Sequence, residues 1–372
     1  MMRKYNIFAK TKWTIELVLE IILVVLYGGS LLSPYVSPQI ISIPAVLNLA
    51  FPVILIVFLL MTFMHLFRKR WKYLLIHAVF LVISAGYIKT YYPITFNEST
   101  LPHDLRVMTY NVGGFAGRKD APSIRSIILE KDADIVCLQE AILSRDEDAN
   151  SLEFRKQYGK RYLYRDAHFD YKTHTQGLVL LSKYPILNRF AIEYPYKTDG
   201  NASVAYLLKL PHDKTLLLIN NHMESYRLTK KEKDSYTDVT RPNFFKRIPS
   251  LIRELYSRLG KPLSKRALAA KEVRKEINRL MSEHRPDYII VTGDLNDTPM
   301  SYTYSKLRGR LRDAYKDKGC GIGVSYNEPI FYFRIDHLFY NEKMTVLRVD
   351  LPRYGKSSDH NPLIADFSLT KP

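Results

Sequence analysis

Two cysteines in 372 residues, Cys137 and Cys320, are too few for a disulfide framework, and no Cys-x-x-Cys or Cys/His cluster offers a zinc site. The chain also lacks a Gly-x-Ser-x-Gly elbow, a Walker loop and a dinucleotide fingerprint, which argues against serine-nucleophile, nucleotide-driven and redox chemistry. Acidic residues are scarce at the start: through Thr95 there are only Glu16 and Glu20, against nine Lys and Arg. Between Ala45 and Leu66 there is no Asp, Glu, Lys or Arg at all. A content of 47% hydrophobic and 25% charged residues excludes disorder, collagen and coiled coil, and no internal repeat is evident. What is present is a greasy N-terminal region joined to a charged remainder. That remainder carries 46 basic and 35 acidic residues, a net of +11, and is long enough for one large domain with a substantial core.

The N-terminal region, residues 1–95, reads as a membrane anchor with three transmembrane helices, at about 13–32, 45–66 and 72–90. Trp13–Leu32 is twenty residues long and reaches roughly 30 Å as a helix. Ala45–Leu66 is the clearest span, because a soluble hairpin would need a polar face there and the stretch has none. Tyr73–Ile88 is uncharged but only sixteen residues long, with Trp71, Tyr91 and Tyr92 placed to anchor its ends. Arg3, Lys4, Lys10 and Lys12 precede the first span, Ser33–Pro44 has no Lys or Arg, and Arg68, Lys69, Arg70 and Lys72 follow the second. Basic residues at span ends are retained inside, so three spans place the large domain outside the cytoplasm. If the third segment only lies in the interface, parity flips and the domain is cytoplasmic. A cleavable signal peptide is the alternative for the first segment, against which stand its long apolar run and the lack of an Ala-x-Ala-like site.

From Leu105 onward, short apolar runs stop at polar residues, as buried strands do when they present chemistry at their ends. These are Leu105–Tyr110, Ile135–Leu138, Leu178–Leu181, Val204–Leu210, Leu216–Ile219, Tyr288–Val291, Ile335–Tyr340 and Pro362–Phe367. Helical faces intervene, with Ile124, Ile127 and Ile128 on one and Val273, Ile277, Leu280 and Met281 on another. The fold class is therefore α/β, sheet on sheet covered by helices. A basic excursion from about 226 to 266, with Lys230, Lys231, Lys233, Lys246 and Arg247 broken by Pro242 and Pro249, is either a solvated charged surface or a lid for phosphate-rich ligands.

Six polar clusters end the apolar runs: Tyr110-Asn111-Val112-Gly113, Leu138-Gln139-Glu140, Asn221-His222-Met223-Glu224-Ser225, Gly293-Asp294-Leu295-Asn296, Arg334-Ile335-Asp336-His337 and Ser358-Asp359-His360-Asn361-Pro362. Singly each fits a turn or a cap. In this order they resemble the endonuclease/exonuclease/phosphatase superfamily, the metal-dependent phosphoesterases typified by deoxyribonuclease I, abasic-site endonucleases, inositol-polyphosphate 5-phosphatases and bacterial sphingomyelinases. The resemblance covers Leu105 to Leu369 and is most specific in Gly293-Asp294-Leu295-Asn296 and Ser358-Asp359-His360. It implies a four-layered α/β/β/α sandwich over 96–372, with the active site at one edge of the paired sheets.

The resemblance further implies a Mg²⁺ site, with Mn²⁺ as the alternative, in which Glu140 is the ligand, Asn111 its neighbour and Asp359 a completing or supporting carboxylate. Asp294 would orient or deprotonate water, Asn296 would hold a phosphate oxygen, and His360, fixed by Asp336, would contact the scissile phosphate. His222 would stand near the leaving group, and the general acid is either His222 or His360. His337 should face away from Asp336 if both lie on one strand. The expected function is a membrane-anchored phosphoesterase acting on a phosphodiester or phosphomonoester; the alternative is a catalytically inactive binding module on the same fold. Its expected partners are a phosphate-ester substrate and the lipid bilayer, with no protein partner. The basic charge suits nucleic acid, anionic lipid headgroups and phosphorylated sugars alike, and Phe244 and Phe245 would be placed to touch headgroups.

Overall fold

The computed structural model describes residues 2–95, 101–115, 121–142, 158–169, 176–198, 200–226, 244–328, 331–355 and 357–369. Lys230, Lys231, Lys233 and Pro242 of the basic excursion lie outside the described residues, as do the side chains of Phe244, Phe245, Lys246 and Arg247.

Four helices form the N-terminal region: α1 (Met2–Leu31), α2 (Ile43–Leu49), α3 (Phe51–Phe67) and α4 (Trp71–Tyr91). Trp13–Leu31 and Trp71–Tyr91 are each long and apolar enough to cross a membrane. The stretch that is clearest in sequence is instead broken: α2 and α3 meet at 74° and make a third span only if the pair counts as one. Two features favour the break. Pro52 opens α3 without an N–H to continue the ladder. The Asn48 side chain is drawn off the bundle into hydrogen bonds with Thr298 Oγ1 (3.1 Å) and the Pro299 carbonyl (3.2 Å). The bundle is apolar outside and partly polar inside. Val25, Val53, Leu60, Val82 and Ile83 face outward, while Glu20, Ser30, His65, His77 and Ser84 are buried around a cluster of Tyr27, Phe51, Phe58, Tyr87 and Tyr91. Water would favour the reverse arrangement; lipid favours this one.

Beyond the bundle, in chain order, come β1 (Leu105–Asn111), α5 (Ile124–Lys131), β2 (Ile135–Ile142), β3 (Tyr164–Phe169), β4 (Gln176–Ser182), β5 (Ile186–Ile192), β6 (Ala202–Lys209), β7 (Thr215–His222) and α6 (Phe244–His284). They are followed by β8 (Tyr288–Asp294), α7 (Tyr302–Arg308), β9 (Arg312–Asp313), α8 (Ala314–Lys318), the hairpin β10 (Tyr326–Glu328) and β11 (Phe331–Phe333), β12 (Asp336–Tyr340), β13 (Thr345–Asp350) and β14 (Leu363–Ser368). Among the described residues these strands make two six-stranded sheets, ordered β13-β14-β1-β2-β4-β3 and β5-β6-β7-β8-β12-β9.

The sheets face each other across a core that includes Val107, Cys137, Leu180, Val204, Leu218, Ile290, Leu338 and Phe367. Outer cores lie under α5, with Ile124, Ile127 and Ile128, and under α6 and α7, with Val273, Ile277, Leu280, Tyr304 and Leu307. This is the four-layered α/β/β/α sandwich. Each of the eight apolar runs coincides with a strand, three of them overrunning it by one residue at Leu210, Ile335 and Pro362, because central strands are buried on both faces and read as continuous aliphatic runs. In each sheet the central pair is parallel, β1 with β2 and β7 with β8, so the C-terminal ends of four strands emerge at one edge of the sandwich.

Candidate active site

That edge is where the polar clusters meet. β7 and β8 run in register to His222 opposite Asp294, and β12 begins with Asp336 opposite Asp294. The other sheet brings Asn111 from β1 and Glu140 from β2. Two local features aim these groups. The β2–β4 register shifts between Leu138 and Ala141, and Glu140 sits at φ +52°, a left-handed conformation that a non-glycine residue adopts only when its surroundings hold it there. Gly293 has φ +127°, and a Cβ on it would meet the Asn221 carbonyl oxygen at 2.0 Å, so only glycine lets β8 press against β7 next to Asp294.

Asp294 Oδ2 is the hub. It accepts a hydrogen bond from Asn111 Nδ2 (2.9 Å) and one from Asn296 Nδ2 (3.2 Å), with His360 Nε2 at 3.8 Å and His222 Nε2 at 4.0 Å. Its Oδ1 accepts from the Asn296 backbone N–H at 2.7 Å. Asn111 Nδ2 also reaches Glu140 Oε1 (3.0 Å), which lies 3.3 Å from His222 Nε2. His360 Nδ1 stands 2.8 Å from Asp336 Oδ2, and Ser325 Oγ accepts the Asp336 backbone N–H at 3.0 Å. Seven of the eight expected residues are thus gathered. Asp359 stands at the rim, exposed, its carboxylate beside Gly113 and 3.4 Å from Ser358 Oγ. The amide of Asn296, read as a phosphate contact, is engaged by Asp294 and by the Met223 carbonyl (3.0 Å), an arrangement that positions Asp294. His337 faces away, hydrogen-bonded to the Asp297 carbonyl (2.9 Å), and burial lowers its pKa to about 4.

Charge coupling separates the protonation states. Burial and the Asp336 charge push the Asp294 carboxyl up to about 6, against the pull of His360, His222 and Asn111. Burial works to lower His360, but the Asp336 and Asp294 charges outweigh it and raise the imidazole to about 10. Burial likewise opposes charge on His222, while its contact with Glu140 and the Asp294 charge raise it overall. For Glu140 burial would raise the carboxyl, yet His222, Asn111 and His360 hold it down at about 2.

Several residues around the site carried no sequence signal. Asn220 accepts from Gln139 Nε2 (2.7 Å) and donates to the Leu138 carbonyl (3.2 Å), pinning the two sheets together behind the carboxylates. Arg266 of α6 is fully buried, stacked 4.1 Å from the Tyr226 ring and 3.8 Å from Asp297. Thr298 and Met300, on the loop after Asn296, touch the N-terminal helical bundle. A separated pair of sheets offers no local periodicity that marks such contacts.

A four-layered sandwich with carboxylates, amides and histidines gathered at its sheet edge defines a fold of phosphoesterase type. The chain belongs to the endonuclease/exonuclease/phosphatase family, whose model matches residues 108–360. A second model, described only as a domain of unknown function, matches residues 12–91. No curated protein matches the chain. Among solved structures it is similar to ANGEL2, a 2′,3′-cyclic phosphatase, at 17% identity over 74% of this chain and 98% of that one, with a TM-score of 0.50. The human Nocturnin catalytic domain with bound sulfate anion is 18% identical over 71% and 94%, TM-score 0.49. A mannosyl-6-phosphatase from Bacteroides thetaiotaomicron is 16% identical over 71% and 99%, TM-score 0.47. At these identities the likeness speaks to the fold alone.

Proposed function

We propose that the protein is a membrane-anchored, divalent-metal-dependent phosphoesterase. The observation that carries this reading is the convergence of Asn111, Asn296, His222 and His360 on the Asp294 carboxylate, with Glu140 beside them. Phosphate esters are anionic, so their hydrolysis needs neutralised charge, an activated water and a proton for the leaving oxygen.

The donor set suits a hard divalent cation. His222 Nε2 and Asp336 Oδ1 are buried without an aligned hydrogen bond, so the site has polar capacity that the chain itself does not use. Glu140, with Asn111 hydrogen-bonded beside it, would hold Mg²⁺ or Mn²⁺, and Asp359 would support the site from the rim. Bound there, the ion supplies neutralisation of the phosphate's charge. Asp294, ionised at neutral pH but only about a unit above its pKa, is suited to take a proton from water. His360 keeps its proton and holds positive charge where phosphoryl oxygens would lie. His222, whose affinity for a proton is raised, is the better donor to the leaving oxygen.

The outward apolar surface of the bundle supports membrane anchoring. Three spans, with the domain outside the cytoplasm, are supported by charge. Arg68 and Arg70 pair with Glu16 at one end of the bundle, whereas Asn48 and Tyr91 meet the catalytic domain at the other. The loop that follows Asp294 contacts that near end through Thr298, which favours a phosphate ester presented at the bilayer over a nucleic acid in solution. The test is Mg²⁺-dependent hydrolysis by the full-length chain in detergent, on bis(p-nitrophenyl) phosphate, DNA, RNA, sphingomyelin and inositol phosphates. Turnover should be lost in both Glu140→Ala and His360→Ala. Turnover retained in both would overturn the assignment, and tight binding with no turnover would favour the inactive binding module.

A further inference from the structure

A second cluster of metal-ligating side chains lies inside the membrane bundle, at the end away from the catalytic domain. Glu20 comes from α1, His65 from α3 and His77 from α4, and all three are buried. Glu20 Oε2 is 3.0 Å from His65 Nε2 and Glu20 Oε1 is 2.5 Å from His77 Nε2. The ligand atoms of the three residues lie within 4.8 Å of one another. One turn further out, Glu16 takes the guanidinium groups of Arg68 (2.9 Å) and Arg70 (2.7 Å), so those cations are spent on Glu16 and not on Glu20.

The hydrogen bonding around His77 fixes which of its nitrogens is free. Thr62 Oγ1 donates to the Phe58 carbonyl (2.7 Å), leaving its lone pairs to accept from His77 Nδ1–H (2.6 Å). That sets the tautomer with the Nε2 lone pair aimed at the carboxylate. A lone pair facing a carboxylate oxygen at this distance repels it unless a cationic particle lies between them. The same pattern, an imidazole whose far nitrogen is held by a second group, orients histidines toward metal ions. Both rings are also locked by stacking, His77 on Phe58 with centroids 4.0 Å apart and His65 on Tyr73 at 4.8 Å. A buried carboxylate among apolar helices is costly without a counter-charge.

We propose that Glu20, His65 and His77 form a binding site for one divalent transition-metal ion of the zinc type, which ties the three long membrane helices together. Two imidazoles and a carboxylate are a borderline-soft donor set that suits Zn²⁺ or Co²⁺ over Mg²⁺, which separates this site chemically from the oxygen-rich one in the catalytic domain. Zinc–ligand distances of about 2.0–2.2 Å put neighbouring donors roughly 3–3.5 Å apart, so the His65 pair already fits and the His77 pair opens by about half to one ångström. Three protein ligands leave a fourth position open.

The experiment uses the full-length chain in detergent micelles, with Glu140→Ala and His222→Ala introduced to blank the catalytic site. Equilibrium dialysis with Zn²⁺, and with Co²⁺ read by its visible ligand-field bands, should give one ion per chain. Adding His65→Ala and His77→Ala should remove it. If that chain does not fold, Glu20→Gln keeps the side-chain shape and should weaken Zn²⁺ by at least about tenfold, no less than the loss of an outer-shell partner costs. A folded, blanked chain that takes up neither ion overturns the proposal. Uptake unchanged by both sets of substitutions overturns it as well.

Discussion

Replacing Asp336 with Asn keeps the shape of the group that holds His360 and removes its charge. Asn Oδ1 can still accept from His360 Nδ1–H at the position of the present 2.8 Å contact, so the ring stays in place. The charge centres of the two buried groups are about 4 Å apart, and at an effective dielectric of 20 such a pair is worth about 4 kcal/mol. At 1.36 kcal/mol per unit this corresponds to about 3 pH units. His360, raised to about 10 in the native site, should therefore release its proton near 7 in the variant. Asp336 also helps hold Asp294 up at about 6, so that carboxyl falls too. The sign is the same for both: a negative charge favours protonation of its neighbours, and removing it moves both limbs of a bell-shaped profile to lower pH. If His360 acts protonated and Asp294 ionised, kcat/KM at pH 8 drops roughly tenfold from deprotonation alone, while activity near pH 5 is spared or rises. The assay is kcat/KM for bis(p-nitrophenyl) phosphate from pH 5 to 10.5, alongside histidine carbon-13 shifts in the metal-free protein. An alkaline limb and a histidine titration that both stay within half a unit of the wild type would refute the reasoning.

The remaining predictions concern the anchor. Asn48→Ala removes the donor to Thr298 and Pro299 and the acceptor for the Tyr91 hydroxyl (3.0 Å), all buried. It should cost about 1–3 kcal/mol in urea or thermal unfolding and lower kcat more than it changes KM; an unchanged melting curve and unchanged kcat would show that the seam is passive. Cys320 is exposed on the catalytic domain, whereas Cys137 is buried between the sheets with burial pushing its thiol far up. A membrane-impermeant maleimide should label one thiol per chain on intact cells if the domain faces outward, and a second only after denaturation; labelling that requires permeabilised cells would reverse the orientation.

Much of the catalytic domain was legible because central strands and active-site residues share a physical cause. A strand buried on both faces reads as an aliphatic run, and the polar residue that ends it is where the sheet edge meets solvent, as with Ile289-Ile290-Val291 running to Asp294. Edge strands lack that signature. β3 and β5 are largely half-exposed or exposed, and they stand at the ends of their sheets, so they read as loops. The helix α6 runs through Pro249 and Pro262, where the sequence suggests interruption. Its buried face of Ala269, Ala270, Val273, Ile277 and Leu280 on the sandwich, together with Leu259 and Leu263 packed against Ala45 of α2, outweighs the lost backbone bonds. The break at Ala50 was illegible for a different reason. Hydropathy weighs each residue of Ala45–Leu66 alike, whereas the bend depends on Asn48 finding partners 250 positions away. Glu20 was likewise visible as a charge near a span end, and its two histidine partners lie 45 and 57 positions on, beyond any local pattern.

The seam between the bundle and the sandwich domain bears on how the protein must be handled. Thr298 Oγ1 accepts from Asn48 and Tyr91, Arg334 donates to the Thr90 carbonyl, and Met300 packs on the aromatic cluster of the bundle. Arg334 is buried, stacked 4.4 Å from Tyr315, and lies two residues before Asp336. Thr298 lies two residues after Asn296. The chain segments that carry Asp294 and Asp336 are therefore braced by the ends of the N-terminal helices. A fragment beginning at Phe96 would leave Arg334 and Thr298 without these partners, at about 1–3 kcal/mol for each buried polar group left unpaired. Its loss of activity would not distinguish a wrong active-site assignment from a loosened one. On the proposed reading, in which the N-terminal helices cross a bilayer, the brace also sets the site's distance from that bilayer and leaves it little freedom to turn toward polymers in solution. The same reading predicts faster turnover of phosphate-ester headgroups in lipid vesicles than of the same esters free in solution, and equal rates on the two would count against it.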